Sequence, residues 1–359
     1  MTLSLAATAV GVMLFAPTSA SADPSQAIIE AARKEATQGK FVNMISSPKG
    51  ESAQKAIMDA FQKRFNIKLD WEWLPLTSAV AAPRVVEQAK AKVPLPTVIG
   101  GFGYSTYEHM IVKNGLDLKV DWVGEFGTLF PTIKAAAVDG IIPRYHGRML
   151  RQWDVSYVIV YNTDQLKAKD APKSLQELTE PKWKGRFAMT NRSTAPLDIL
   201  ALELGVDGTV DLTKKLMANQ PRFKAGPPAV VGAVATGEVA VGMGYTALAD
   251  AQKKMGAPVD WVLAENLPLG PLFMFLLKDA PQPNLGKLFS AWMVTEGLKI
   301  QEEHEYLSFL GDKESPTTKA IYKANPNVKV IEARSDEDTV VLEKAQQEIL
   351  KVYSAAPSK

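Results

Sequence analysis

The chain has no cysteine, which excludes disulfides, thiolate metal sites, a nucleophilic thiol and a lipid-bearing Cys behind a leader. Histidine is nearly as scarce: His109, His146 and His304 are the whole complement, and no two share a metal-ligand spacing. Charge of one sign is missing too. Forty-one basic side chains against 39 acidic ones leave no basic run for nucleic acid and no acidic tail. No Gly-x-Ser-x-Gly, His-Glu-x-x-His or Gly-Lys-Ser/Thr loop occurs. Gly100-Gly101-Phe102-Gly103 lacks the third glycine and the distal acid of a dinucleotide fingerprint.

Long hydrophobic runs are confined to the start. The apolar stretch from Leu3 to Ala16 falls short of the roughly 20 residues that span a bilayer. It is followed by Ala20-Ser21-Ala22, a small-x-small cleavage pattern. Residues 1–22 therefore read as a secretory signal, although no Lys or Arg precedes the apolar core, so its true start is truncated or lies upstream. The mature chain is expected to be exported and soluble. Its 46% apolar and 22% charged content are those of an ordinary globular protein, and 359 residues suit two lobes better than one.

From Phe41 the pattern alternates strand and helix. Phe41 to Ser46 is a short apolar strand, and Ile57, Phe61 and Phe65 mark one stripe of a helix. Ile67 to Trp73 alternates with period two, and Thr97 to Gly101 is a buried strand. Ser105-Thr106-Tyr107-Glu108 reads as a capping box. Beyond residue 186 the alternation restarts, with a helix from Ala195 to Leu204 stopped by Gly205 and a strand at Val239 to Met243. Thr246 reads as the cap of a following helix. Such order predicts α/β lobes with mostly parallel sheets and helices on both faces.

The segment from Trp153 to Met189 is the most informative. An apolar run through Val155, Tyr157, Val158, Ile159, Val160 and Tyr161 turns at Asn162-Thr163-Asp164, and Pro181-Lys182-Trp183-Lys184-Gly185 precedes the next strand. It resembles the inter-lobe crossing of periplasmic substrate-binding proteins of bacterial ABC importers, within the branch typified by ferric-iron-binding proteins. Gly237 to Gly242, Met255 to Val259, Lys278 to Asn284 and Thr295-Glu296-Gly297 extend the resemblance over nearly the whole mature chain. It implies a two-lobed periplasmic binding protein fold (type II). The first lobe would run over 23–153 and cross at 154–161 into a second lobe over 162–270. A return from 271, with its strand at Leu272 to Leu277, would complete the first lobe with helices to 359. It further implies a periplasmic monomer without enzymatic activity or cofactor, which hands a small solute to membrane permease subunits.

Ligands of open α/β sheets sit beyond the carboxyl ends of strands, beside helix N-termini. Three such ends supply the candidates: Ser46, Ser47 and Lys49; Tyr104 and Ser105; and Asn191, Arg192, Ser193 and Thr194. The same residue types also serve caps and turns. Tyr145, Arg151 and Trp153, ahead of the crossing strand, are candidates for the cleft wall, or for core. Hydroxyls, free N–H groups, Lys49 and Arg192 favour an anionic organic solute such as a phosphonate, phosphate ester or carboxylate. Tyr245 follows Gly242-Met243-Gly244 where the resemblance implies adjacent iron-binding tyrosines. Thr246 succeeds it, so the adjacent pair is absent, and Tyr245 is expected to stack on or hydrogen-bond an organic ligand, or else to be structural. Ferric iron with a synergistic anion is the alternative within the class, and a two-lobed transferase or hydrolase the alternative outside it.

Overall fold

The computed structural model describes residues 24–190 and 193–355. The first half runs α1 (Pro24–Glu35), β1 (Phe41–Ile45), α2 (Glu51–Phe65) and β2 (Trp71–Trp73). It continues through α3 (Ser78–Ala91), β3 (Val98–Phe102), α4 (Tyr104–Met110) and α5 (Trp122–Phe126) into a 13-residue strand, β4 (Leu150–Asn162). The second half contains β5 (Phe187–Thr190), α6 (Leu197–Ala218), β6 (Arg222–Lys224) and α7 (Pro227–Ala235). Then come β7 (Val241–Tyr245), α8 (Thr246–Lys254), β8 (Val259–Val262) and β9 (Asn266–Phe275). The chain ends with α9 (Pro283–Met293), α10 (Leu298–Glu305), α11 (Pro316–Ala324), β10 (Lys329–Ile331) and α12 (Asp336–Ala355).

The strands follow the order β2-β1-β3-β9-β4-β7-β5-β6, with β10 on β9 and β8 on β4. Two long antiparallel strands, β4 and β9, serve both lobes. The start of β4 and the end of β9 pair with each other, and β9 joins β3, in the first lobe. Past Ser156, β4 turns to β7 and β8 in the second. This is the two-lobed type II arrangement. β4 is buried along almost its whole length, with its apolar run from Val158 to Tyr161 in the second lobe and the paired Arg151 and Asp154 at its start in the first.

Each lobe has its own core. On one face of the first lobe Phe41, Phe61, Phe289 and Trp292 interlock, with Phe61 and Phe289 edge-to-face at 5.1 Å. Such pairs add about 0.5–1.5 kcal/mol beyond the area they bury. The opposite face is held by Tyr107, Tyr145 and Phe275. In the second lobe α6 and α12 cover one face, with Leu200, Leu216 and Ile349 buried between them.

Several expectations need correction. The helix that Gly205 stops is followed at once by a second helical segment to Ala218, which the sequence did not suggest; Gly205 itself breaks the helix as expected, with the non-helical φ 71°, ψ 165° open to glycine. Ser105 opens no capping box, because α4 starts at Tyr104 with Gly103, two residues before Ser105, at the cap position and no side chain capping it. Thr246 is likewise inside α8, with Tyr245 at the cap position. The alternating run at 67–73 forms a strand only over Trp71–Trp73, and the carboxyl-terminal region includes the short strand β10. The return strand begins at Asn266, earlier than the apolar run at 272 suggested, because Gly270 and Pro271 are accommodated within it. Arg151 and Trp153 lie inside β4 rather than ahead of it.

One glycine bears directly on the lobe junction. Gly101 has φ +83°, and a Cβ there would strike the Ser46 side chain and come within 3.3 Å of Trp153. Gly101→Ala is therefore expected to lower stability by about 2 kcal/mol or more, from backbone strain plus overpacking. Urea unfolding checks this, and a variant within 0.5 kcal/mol of the parent would contradict it.

Candidate functional site

Parallel pairing points the carboxyl ends of β1 and β3 toward the second lobe, and those of β5 and β7 toward the first. The strand ends selected from sequence therefore do converge on the lobe junction, which is the consequence of topology rather than of any one side chain.

At the first end, Ser47 is buried and its hydroxyl donates to Glu305 Oε2, while the Lys49 N–H donates to Glu305 Oε1 at 2.7 Å. The N-terminus of α2, read as an anion site, thus holds a carboxylate of the protein itself, supplied by the last residue of α10. The Lys49 side chain is exposed, and Ser46 is half-buried.

Glu305 also faces Tyr245 at the end of β7. Burial, and secondarily the Glu305 charge, pushes the Tyr245 phenol up to about 12. Tyr245 is the register partner of Tyr157 on β4, and the two rings meet edge-on at 6.3 Å. Tyr157 in turn feels Asp198: burial first, then Asp198, then Tyr245, holds its phenol far above the usual value. Asp198, in the first turn of α6, accepts from the Thr194 hydroxyl at 2.6 Å and the Ile199 N–H at 2.9 Å. Burial raises its carboxyl as well. The result is a series Asp198–Tyr157–Tyr245–Glu305 running from the second lobe to the first, each group electrostatically coupled to the next.

The other expected residues lie beside this series. The Tyr104 hydroxyl accepts from the Ile142 N–H at 3.0 Å, and its ring stacks on Tyr145 at 5.2 Å. Ser105 is exposed and interacts with His109. Both line a cavity of about 250 Å³ that also reaches Tyr157 and Asp198. Ser193 accepts from the Ala195 N–H, and Thr194 is engaged with Asp198, so both serve the turn into α6. Asn191 and Arg192 lie outside the described residues. Arg151 is not a cleft residue: it is buried and paired with Asp154 and Glu332, each at 2.7 Å. Trp153 is buried core.

Sequence reasoning missed Tyr157, Asp198 and Glu305. Tyr157 was read only as part of an apolar strand, although a Tyr on β4 opposite Tyr245 restores a tyrosine pair across strands instead of along one. Glu305 closes the run Glu302-Glu303-His304-Glu305 at the end of α10. Glu303 and His304 are exposed, but Glu302 is buried, accepting from the Ser315 hydroxyl and Thr317 N–H. Among the described residues no three His, Cys, Asp or Glu side chains group to hold a metal. Hard oxygen donors nevertheless occur together once the two phenols are counted with Asp198 and Glu305, and such donors suit Fe(III).

Comparison with known proteins agrees with the fold. Residues 154–300 match the family described as bacterial extracellular solute-binding protein. Over 123 residues the chain is 35% identical to an Fe(3+)-binding periplasmic protein of Serratia marcescens, a match covering 33% of this chain and 36% of that relative. Iron-bound HitA from Pseudomonas aeruginosa superimposes with a TM-score of 0.66 at 18% identity, over 89% of this chain and 99% of that one. A Trichodesmium protein in complex with iron and citrate ligands gives 0.67 at 15%, over 89% and 100%. At these identities the structural likeness is one of fold.

Proposed function

We propose a cargo for a chain that is, by its fold and by residues 154–300, a solute-binding protein of the ferric-binding-like kind. It captures ferric iron together with a small multidentate anion and delivers them, as the periplasmic component of an ABC importer, to a membrane permease. The observation that carries this reading is the run of hard oxygen groups, two phenols between two carboxyls, contributed from both sides of the junction. The 35%-identical Fe(3+)-binding relative supports it.

A metal-free organic anion, the solute favoured by sequence alone, fits this junction less well. The N-terminus of α2 already holds Glu305, and Asp198 stands at the other end of the series, so a bare anion would meet like charge. An anion arriving with iron is different, because the metal neutralises both and the anion fills coordination positions the protein does not. Its grip is assigned to Arg192, whose guanidinium can take an oxygen pair bidentately.

The mechanism follows from the two origins of the donors. In an open state Glu305 belongs to one lobe and Tyr245, Tyr157 and Asp198 to the other side of the junction. Iron binding both sets would stabilise closure by its differential affinity for the closed form.

Ferric loading is expected to give a visible phenolate-to-iron absorption band, and a colourless protein after loading with ferric citrate would remove iron as cargo. Arg192→Ala is expected to make iron retention insensitive to which anion accompanies it. Unchanged anion dependence in a competition assay would place the anion elsewhere. Affinity should fall as pH is lowered, because a Tyr245 phenol pushed up to about 12 must surrender its proton to bind metal. The slope should approach roughly tenfold per pH unit for each phenol that ionises on binding. A pH-independent affinity between 6 and 8 would exclude the phenols as ligands.

A further inference from the structure

We infer that Glu302 is a positioning residue for Glu305, fixing the last turn of α10 against the second lobe. Its effect on cargo rests on the ferric reading; its effect on where the turn stands does not. After α10 the chain crosses the lobe junction a third time. Leu307 and Phe309 are buried in the first-lobe core, whereas Leu310 packs with the second-lobe core that holds Ile321 of α11. The crossing is pinned to β4. The Ser308 carbonyl accepts from the Asp154 N–H, and the Leu310 N–H donates to Asp154 Oδ2, each at 2.8 Å.

Glu302 spans this crossing from one helix to the next. It is only 8% exposed, and its Oε1 accepts from the Ser315 hydroxyl at 2.7 Å and the Thr317 N–H at 3.0 Å. Ser315 already caps α11, its hydroxyl accepting from the Thr318 N–H at 3.1 Å. What Glu302 adds is a bond between a first-lobe helix and a second-lobe one. A buried carboxylate at a helix N-terminus, met by a hydroxyl and an amide, is a strong and directional contact. Glu305 lies three residues further on. One turn of α10 therefore presents a carboxylate to the N-terminus of α11 and another to the N-terminus of α2. Tyr306, at φ 57°, ends the helix directly behind them. On the second-lobe side, Lys254 of α8 stands 5.6 Å over the Tyr306 ring, and Tyr245 feels the Glu305 charge. Those contacts are long or exposed, so the buried Glu302 bonds are what set the turn in place.

Because the chain has no cysteine, Lys299→Cys on α10 and Met255→Cys at the end of α8 can carry the only two spin labels. Both positions are exposed. Their distance distribution is read in the iron-free chain. Glu302→Met, similar in length but unable to accept these bonds, is expected to broaden or shift it. Glu302→Gln, which keeps an acceptor oxygen, should preserve it. Ser315→Ala, a gentler change that deletes one donor, should move it in the Met direction by less. After loading with ferric citrate, the Met variant is expected to retain iron severalfold less tightly and the Gln variant to match the parent. Distances unaltered in both the Met and Ala variants, or a Gln variant that follows the Met variant, would overturn the role. A parent chain that takes no iron colour would remove the ferric reading, while the distances would still decide for or against Glu302.

Discussion

Tyr245→Phe and Tyr157→Phe are each expected to strip most of the ferric absorption band, and the double variant to abolish it together with tight iron retention. Losing an outer partner of a metal ligand typically costs roughly 10–100-fold in affinity, and losing a direct phenolate should exceed that. Phe keeps the edge-on ring contact at 6.3 Å and the packing around it, so folding should be little affected. Both hydroxyls are buried at some desolvation cost, which makes the expected stability change small, within about 1 kcal/mol. Loss of colour with an unchanged unfolding midpoint therefore separates a ligand role from a structural one. Retention of the full band in the double variant would end the ferric proposal.

Glu305→Gln sharpens the test, because two roles for Glu305 predict opposite signs. The carboxylate raises the Tyr245 phenol, so a purely electrostatic neighbour, once neutralised, would let the phenol ionise more readily and iron bind more tightly. A Glu305 that itself ligates iron would instead weaken binding when replaced. The expected result is weaker binding, with the band retained but reduced. Tighter binding would take Glu305 out of the donor set and leave it as the group that occupies the N-terminus of α2.

The lobes and the strand ends were legible because they depend on periodicity and on Gly, Ser and Thr at strand-to-helix joints. Both signals are local. What escaped was long-range in sequence. Tyr157 and Tyr245 are separated by most of the second lobe and meet only through antiparallel register. Glu305 reaches Ser47 across more than 250 positions, where a helical periodicity argument sees only a polar face. Gly205 was legible for the same local reason, since a glycine at φ 71°, ψ 165° breaks the helix whatever packs beside it.

Arg151→Met should be the most damaging single change to stability, about 3–5 kcal/mol, because it would strand buried carboxylates without their cation. The guanidinium is only 4% exposed and donates to Asp154 and Glu332 at 2.7 Å each and to the Gly140 carbonyl at 3.2 Å. Asp154 passes the constraint on, accepting from the Leu310 N–H at 2.8 Å, while its own N–H donates to the Ser308 carbonyl. The network thus fixes the start of the crossing strand to the loop after α10 and to the segment after β10. It lies where the β4–β9 register slips between Arg151 and Trp153, the irregularity of a β-bulge. Burial already pushes the Asp154 carboxyl upward, and Arg151 is the largest influence holding it down. Without Arg151 the folded-state value of Asp154 must rise further above its unfolded one. A folded state that binds more protons than the unfolded state gains stability as pH falls. The Met variant should therefore recover part of its loss on acidification from neutral pH toward the raised carboxyl value, and Arg151→Lys should recover less because most of its charge pairing remains. Urea unfolding at several pH values reads both effects. A loss under 1 kcal/mol, or a deficit that grows with acidification, would mean that the three side chains do not act as one buried unit.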